Sequence, residues 1–394
     1  MNTHMENQNG RVPAKDSLPN EFKLERYFAK YEMSSPYLLC CSDCEPLTLS
    51  ETLLLADDEC RGLWEDLSLA YTDPQGTPVL REEICKLYKT VSAEQILVAA
   101  PQELIAMAFR AMLKPGDHIV AVYPGYQSLY ELAQSMGCEV SFWEPDVQHN
   151  GSFLFDVTKL GHLFTAQTKA VVVNFPHNPT GALPSHKEWQ QIVQQCRDRN
   201  AYLFSDEMYR LLERDPSSRL PAAVDCYERG VSLSGMSKAF GMPGIRIGWL
   251  ALRGAPLMRA LQRLHDYSTI CSSAPSEVLA LIGLRAAREL LQRNLAIIEA
   301  NIDAFSAFCA RHKDVLEFCA PAAGSIAFAR LLTGEPIEAF CECLVAEHGV
   351  LLLPATVYDH PASVADGRFR VGLGRKNFQD CLSVLGPFLD RMKH

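Results

Sequence analysis

Ser234-Gly235-Met236-Ser237-Lys238-Ala239-Phe240-Gly241-Met242-Pro243-Gly244-Ile245-Arg246-Ile247-Gly248-Trp249 is the stretch around which the chain is organised. It sets one lysine in a run of small residues and an arginine eight positions later. A lysine amine that reacts with a carbonyl must shed its proton, and small neighbours leave room for a ring beside it. A guanidinium at that distance suits phosphate oxygens, because its planar fork matches them. A lone lysine is ordinarily a solvated surface charge, so the reading depends on what the rest of the chain adds.

Working outward, short apolar strands alternate with amphipathic helices. Strands are expected at Gln95 to Ala100, His118 to Tyr123, Ala170 to Phe175, Ala201 to Phe204, Val231 to Leu233 and Ile247 to Leu252. Ser185-His186-Lys187-Glu188 has capping-box spacing and opens a helix with Trp189, Ile192, Val193 and Cys196 on one face. Such alternation implies an α/β fold with a mostly parallel sheet and helices on both faces. Residues 276 to 313 are helical for too long a run to be one ordinary helix, so one long helix or two with a kink is expected. Near the N-terminus, Phe22 to Glu32 reads as a short amphipathic helix, and a further helix starts near Thr48 or Ser50.

Composition narrows the function. The chain has 394 residues, 48% hydrophobic and 21% charged, a globular profile. The formal net charge of -10 argues against nucleic acid or an anionic membrane as the main partner. No run of 18 apolar residues occurs, so no membrane span is expected. The polar N-terminus is no secretory signal. Fourteen cysteines are scattered along the chain. Cys41 and Cys44 form a lone C-x-x-C with no second ligand pair at a usable spacing, so no metal is expected. Reduced, buried thiols in a cytoplasmic protein are the simplest account.

Sheets of this kind bind ligands outside the carboxyl ends of their strands. Each strand is followed by polar or aromatic groups: Asn174-Phe175-Pro176-His177-Asn178-Pro179-Thr180-Gly181, Ser205-Asp206-Glu207-Met208-Tyr209, the segment with Lys238, and Tyr123-Pro124-Gly125-Tyr126. Asn-Pro-Thr-Gly, then Asp-x-x-Tyr about 30 residues before Ser-Lys and its arginine, is a specific order. From about Tyr71 onward the chain resembles the fold-type I pyridoxal-phosphate enzymes, in particular the class I/II aminotransferase family.

The resemblance implies an aspartate-aminotransferase-like fold with pyridoxal 5'-phosphate as cofactor. It implies a flexible N-terminus at 1–20, an N-terminal segment covering the site at 21–65, a large cofactor-binding domain at 66–290 and a small C-terminal domain at 291–394. Lys238 would carry the Schiff base and move the α-proton as general base and acid. Asp206 would pair with the pyridinium nitrogen. Asn178 and Tyr209 would donate to the phenolate oxygen, and Tyr126 would stack on the ring. Arg246 would hold the phosphate, with Ser237 or Ser234 assisting. Backbone N–H groups at Gln102 and Glu103 would donate to the phosphate at a helix start, with the Glu103 side chain turned away. The family usually has a glycine where Ala100-Pro101 stands, and Pro101 has no N–H. Tyr71 would reach the partner's phosphate in a homodimer with shared active sites, and Arg370 would clamp the substrate α-carboxylate.

The substrate is an amino acid whose side chain these core motifs do not define. Ser42-Asp43-Cys44-Glu45-Pro46 departs from the Gly-x-Pro-like stretch of many members. Asp43 or Glu45, if either points into the site, would suit a cationic side chain such as a guanidinium. The N-terminal helix and this segment resemble the arginine-processing branch typified by capreomycidine synthase. Two outcomes therefore stand side by side: transamination with a 2-oxo acid acceptor, or elimination and ring closure on a hydroxylated arginine. A third class is a non-catalytic cofactor-binding module. It is disfavoured by the intact Lys238, Asp206 and Arg246 set and by a leading segment too short for a DNA-binding domain.

Overall fold

A computed structural model describes residues 18–358 and 367–392. The expected flexible N-terminus lies outside the described residues as far as residue 17. Among the described residues the largest sheet has seven strands: β1 (Ile96–Ala99), β2 (His118–Val122), β3 (Glu139–Trp143), β4 (Thr168–Asn174), β5 (Tyr202–Asp206), β6 (Gly230–Gly235) and β7 (Gly248–Leu252). Their order across the sheet is β1-β7-β6-β5-β4-β2-β3. β7 alone runs against its neighbours, antiparallel to β1 and to β6. The chain reverses between β6 and β7 in a hairpin-like excursion that carries Lys238.

The central strands are apolar along most of their length because both faces are covered, whereas the edge strand β3 starts at the exposed Glu139 and is buried only at Trp143. Ile119, Ala121, Ala170 and Val172 pack on one side with the helix Pro101–Met112, hereafter α1, and with Ala255–Asp266. Their sequence neighbours Val120, Val122, Val171 and Val173 pack on the other with Trp189 and Ile192 of His186–Asp198. This alternation is the period of a strand buried on both faces. The expected capping box at Ser185 forms with Glu188, and another at Thr48 with Glu51 fixes the start of the helix Leu49–Leu54. The β3 strand and the helix Ser128–Ser135 before it were not singled out in the sequence.

The long helical run resolves into two helices, Ala274–Arg285 and Ala287–Arg311, broken at Ala286. The second leads to a four-stranded antiparallel sheet built from Leu316–Glu317, Ile326–Leu331, Leu353–Pro354 and Arg368–Gly372. The N-terminal segment forms a two-stranded sheet of its own beside this one. Tyr37–Leu38 pairs in parallel with Val350–Leu351, and the helix Lys23–Tyr31 packs its Leu24 against Leu351, Leu353 and Tyr358. Residues 39–47 then cross back to the lysine loop. No described helix is long and apolar enough to cross a membrane.

Candidate active site

The carboxyl ends of β4, β5 and β6 reach one rim because the strands are in parallel register, with Asn174 opposite Asp206 and Asp206 opposite Leu233. Just past β6 the chain turns through Ser237 and Lys238. The result is a cavity of about 480 Å³ lined by Lys238, Asp206, Tyr209, Asn178, Tyr126 and Arg370, and also by Gln102, Ser237, Arg246 and Asp43. Ten residues expected from the sequence therefore meet in one place.

The small residues around Lys238 have a more specific use than leaving space for a ring. A Cβ on Gly235 would stand 2.9 Å from Gly248 Cα and 3.3 Å from Pro101 Cγ. The glycines thus let the hairpin and the α1 start pack together. A Cβ on Gly241, at φ +66°, would lie 2.6 Å from the Glu45 carbonyl oxygen, so a side chain there would be both strained and obstructed.

Lys238 is buried, and burial pulls its amine below the ordinary lysine value, while the carboxylates of Asp43 and Asp206 act in the opposite direction. Its Nζ donates to Ser42 Oγ at 2.8 Å. Asp206 is pushed up to about 7 by burial, against one backbone N–H from Met208 at 3.1 Å and the positive charge of Lys238. A buried carboxylate so poorly compensated has capacity for a cationic N–H partner. Asn174 braces this rim, donating to the Asp206 carbonyl at 2.9 Å and accepting from the Asn178 amide N–H at 2.9 Å.

Arg370 is 1% exposed. Its Nε donates to the Cys40 carbonyl at 3.1 Å, and its Nη1 donates to Tyr358 Oη at 3.1 Å and Asn178 Oδ1 at 3.3 Å. Its Nη2 has no protein partner. An orphaned guanidinium N–H in a cavity wall is costly unless an anion meets it. Tyr358 also donates to Asn178 Oδ1 at 3.0 Å, so the asparagine oxygen is occupied and its NH₂ is the group left to donate. Tyr209 is pushed up to about 12, chiefly by burial, and stays a neutral donor at neutral pH.

At the other end of the cavity, α1 begins at Pro101 with Ala100 as a cap that offers no side chain. Gln102 accepts from Tyr126 Oη at 3.1 Å and donates to Ser128. Glu103 faces away, accepting from Ser268 and from Thr269 Oγ1 at 2.7 Å, as a carboxylate beside an anion site must. Arg246, in the left-handed region at φ 55°, lies exposed on the rim with Nη1 donating to the Pro243 carbonyl at 3.1 Å.

Ser234, Glu45 and Tyr71 fall outside this cavity. Ser234 sits inside β6 opposite Trp249 and does not reach the cavity, so Ser237 is the serine available there. Glu45 is turned to the far side, where its carboxylate accepts from the Lys376 N–H at 2.9 Å. Asp43 does line the cavity, but Arg375 Nη2 holds its Oδ2 at 2.8 Å. The other acids lining the cavity are Glu25, which accepts from Tyr126 Oη at 3.4 Å, and Glu32, which accepts from Cys41 Sγ at 3.9 Å, carried on and just after the helix Lys23–Tyr31. Burial, then the nearby Asp43, raises Glu32 above the ordinary carboxylate value. The helical spacing of Leu24, Phe28 and Glu32 was the signal in the sequence that these share a face. Tyr71 is 87% exposed and borders a separate groove with Pro78 and Leu281. Cys41 and Cys44 are buried free thiols, raised by burial to about 11 and about 12, and no metal-binding cluster occurs among the described residues.

The fit of pyridoxal phosphate can be judged from these groups alone. The under-compensated Asp206, the desolvated amine of Lys238, the donors of Asn178 and Tyr209, and the cationic end at Arg246 beside a helix start match a ring nitrogen, an aldehyde, a phenolic oxygen and a phosphate. Comparison with known proteins agrees. The profile of the family "Aminotransferase class I and II" matches residues 66–381. A capreomycidine synthase from Streptomyces vinaceus is 32% identical over 270 residues, covering 68% of this chain and 67% of that protein. A PLP-dependent aminotransferase from Streptococcus suis superposes with a TM-score of 0.86 at 29% identity, over 94% of this chain and 98% of that one. A solved PLP-dependent cyclase gives 0.85 at 25% identity, over 96% and 100%. The chain belongs to the class I and II aminotransferase family, of the aspartate-aminotransferase-like fold, and is a pyridoxal-phosphate-dependent enzyme.

Proposed function

We propose that the protein acts on a free L-amino acid, moving its α-proton with the Lys238 amine. The observation that carries this reading is the convergence of Lys238, Asp206 and the orphaned Nη2 of Arg370 on one cavity. Bound there, pyridoxal phosphate supplies an aldehyde that holds the substrate nitrogen and a ring that draws electrons from the α-carbon. Asp206 accepts from the ring nitrogen, and that cationic partner offsets the burial that raises its carboxyl. Asn178 and Tyr209 donate to the ring oxygen, and Tyr126 packs on the ring face. Arg246, Ser237 and the N–H groups of Gln102 and Glu103 hold the phosphate. Arg370 takes the α-carboxylate and so sets which α-bond is broken. Lys238, whose amine burial pulls below the ordinary lysine value, takes the α-proton and returns it. Tyr71, exposed in one subunit, reaches the partner's phosphate in a cytoplasmic homodimer. Residues 21–65 form the cover, 66–290 the large domain and 291–394 the small one.

Transamination is the simplest outcome. A second reading, cyclisation of a hydroxylated arginine, is favoured by the acidic wall of Glu25 and Glu32 in the same cavity as Arg370, and by the likeness to a capreomycidine synthase. A cationic side chain would meet Glu32 there, Asp43 being already paired. The test is an absorbance scan of the holoenzyme with amino acids and hydroxylated arginines, without oxo acid, with products read by mass spectrometry. One turnover restarted by an oxo acid identifies a transaminase. Sustained turnover with loss of water identifies a cyclase. An absorbance unmoved by every amino acid overturns the proposal. Glu32→Gln should raise KM for an arginine-type substrate about 10-fold, the worth of one charge-assisted hydrogen bond, and leave a neutral amino acid unaffected.

A further inference from the structure

Ser42 has no part in the reading above, yet the fold sets it on the reactive amine. Lys238 Nζ donates to Ser42 Oγ at 2.8 Å across 196 positions of sequence. The same hydroxyl lies on the cavity wall with Tyr209 and acts against the burial that raises that phenol. Amine, hydroxyl and phenol thus share one cavity wall.

The segment that delivers Ser42 is fastened on both sides. The Ser42 carbonyl accepts from Ser325 Oγ at 2.6 Å, and Ser325 is fully buried. Asp43 is held by Arg375, and the Cys44 N–H donates to the Lys238 carbonyl at 3.4 Å. The Glu45 N–H donates to the Gly374 carbonyl at 2.7 Å. Main chain and neighbouring side chains anchor the segment without the Ser42 hydroxyl. That hydroxyl is spent on Lys238.

A lysine amine on a four-carbon stem has many rotamers, and holding a reacting group in place lowers the barrier it would otherwise meet on ordering. A hydroxyl suits this task better than a charged group. It accepts one N–H whether the amine is protonated or not. A carboxylate at the same place would hold the amine as ammonium, unable to receive a proton. We propose that Ser42 is the positioning residue of the proton-transfer amine, aiming Lys238 at the substrate from the N-terminal segment. The proposal rests on the reading of Lys238 given above.

The test compares Ser42→Ala and Ser42→Thr holoenzymes, using kcat, KM, the pH profile of kcat, melting temperature, and exchange of the substrate α-hydrogen for solvent deuterium. Ser42→Ala should keep the visible absorbance of the bound cofactor, the melting temperature and, within about twofold, KM. Its kcat and its exchange rate should fall together by about 10- to 100-fold, with a displaced pH midpoint. Ser42→Thr, which keeps the hydroxyl, should recover most of the rate. A kcat and exchange rate within twofold of the parent would overturn the proposal. So would a Thr variant as slow as the Ala variant, or a loss of rate that comes only with a lowered melting temperature. Lys238→Ala separates the two claims: retention of the cofactor's parent absorbance there removes the Lys238 reading itself, whereas a normal spectrum in Ser42→Ala confines the outcome to Ser42.

Discussion

At the scale of single residues, His177 shows how the site's rim depends on neutral groups. It is fully buried, with Nδ1 against Thr180 Oγ1 at 2.8 Å, and burial lowers its pKa to about 3. In the unfolded chain it would titrate near the ordinary histidine value of 6.5. Below that pH the unfolded state binds a proton that the folded state refuses, so this histidine removes stability as pH falls and has no effect above about 7. Between pH 8 and pH 5 its share is about 2 kcal/mol. Urea unfolding at the two pH values should show His177→Gln losing less stability on acidification than the parent, by that amount. Equal losses would contradict it. The residues that define the site were legible for a related reason: Lys238, Asp206, Asn178 and Arg370 stand in spaced motifs whose chemistry admits few substitutes. Glu45 and Ser234 were misplaced because a side chain's direction is decided by packing. Glu45 is claimed by the Lys376 N–H, and Ser234 is committed to a strand facing Trp249.

At the scale of elements, the crossing segment 39–47 and the end of the strand Arg368–Gly372 are fitted to each other without clearance. A Cβ on Gly372 would lie 1.9 Å from the Cys41 carbonyl oxygen, and one on Gly374 2.7 Å from that of Asp43. The contact is backbone against backbone, so no side-chain rotation relieves it. Gly372→Ala should therefore displace the segment, withdraw Ser42 from Lys238, and cost stability of about 1–3 kcal/mol. Thermal unfolding and kcat together measure this, and an unaltered melting temperature with full activity would refute it. The elements were largely foreseeable, since apolar runs and capping boxes mark strands and helix starts locally. The break at Ala286 was left open because the helical pattern continues on both sides of it. That β7 runs antiparallel is likewise invisible to periodicity, which is the same in either direction.

At the scale of the whole molecule, Tyr71 is the residue one subunit leaves unexplained. It is 87% exposed beside an apolar groove lined by Leu63, Val79 and Leu281. If it completes the partner's site, two inactive variants can repair each other. Lys238→Ala and Tyr71→Ala, unfolded and refolded together in equal amounts, should regain about a quarter of the parental sites, because half the dimers are mixed and each holds one intact site. Absence of any regain, with dimers present by sedimentation, would exclude a shared site. The sequence conveys this arrangement only through resemblance, because an interface leaves no local period in a single chain.

The crossing segment also has a consequence in time. Ser42 is made early by the ribosome, but its anchors at Lys238, Ser325, Gly374 and Arg375 come much later in the chain. Long-separated contacts are slow to close, and domains form as synthesis proceeds. The sheet that carries Asp206 and Lys238 can be complete while the segment that aims the amine still waits for its last anchor. On the reading proposed above, the lysine is in place before the segment that aims it, and activity is expected only once Gly374 and Arg375 have joined the fold.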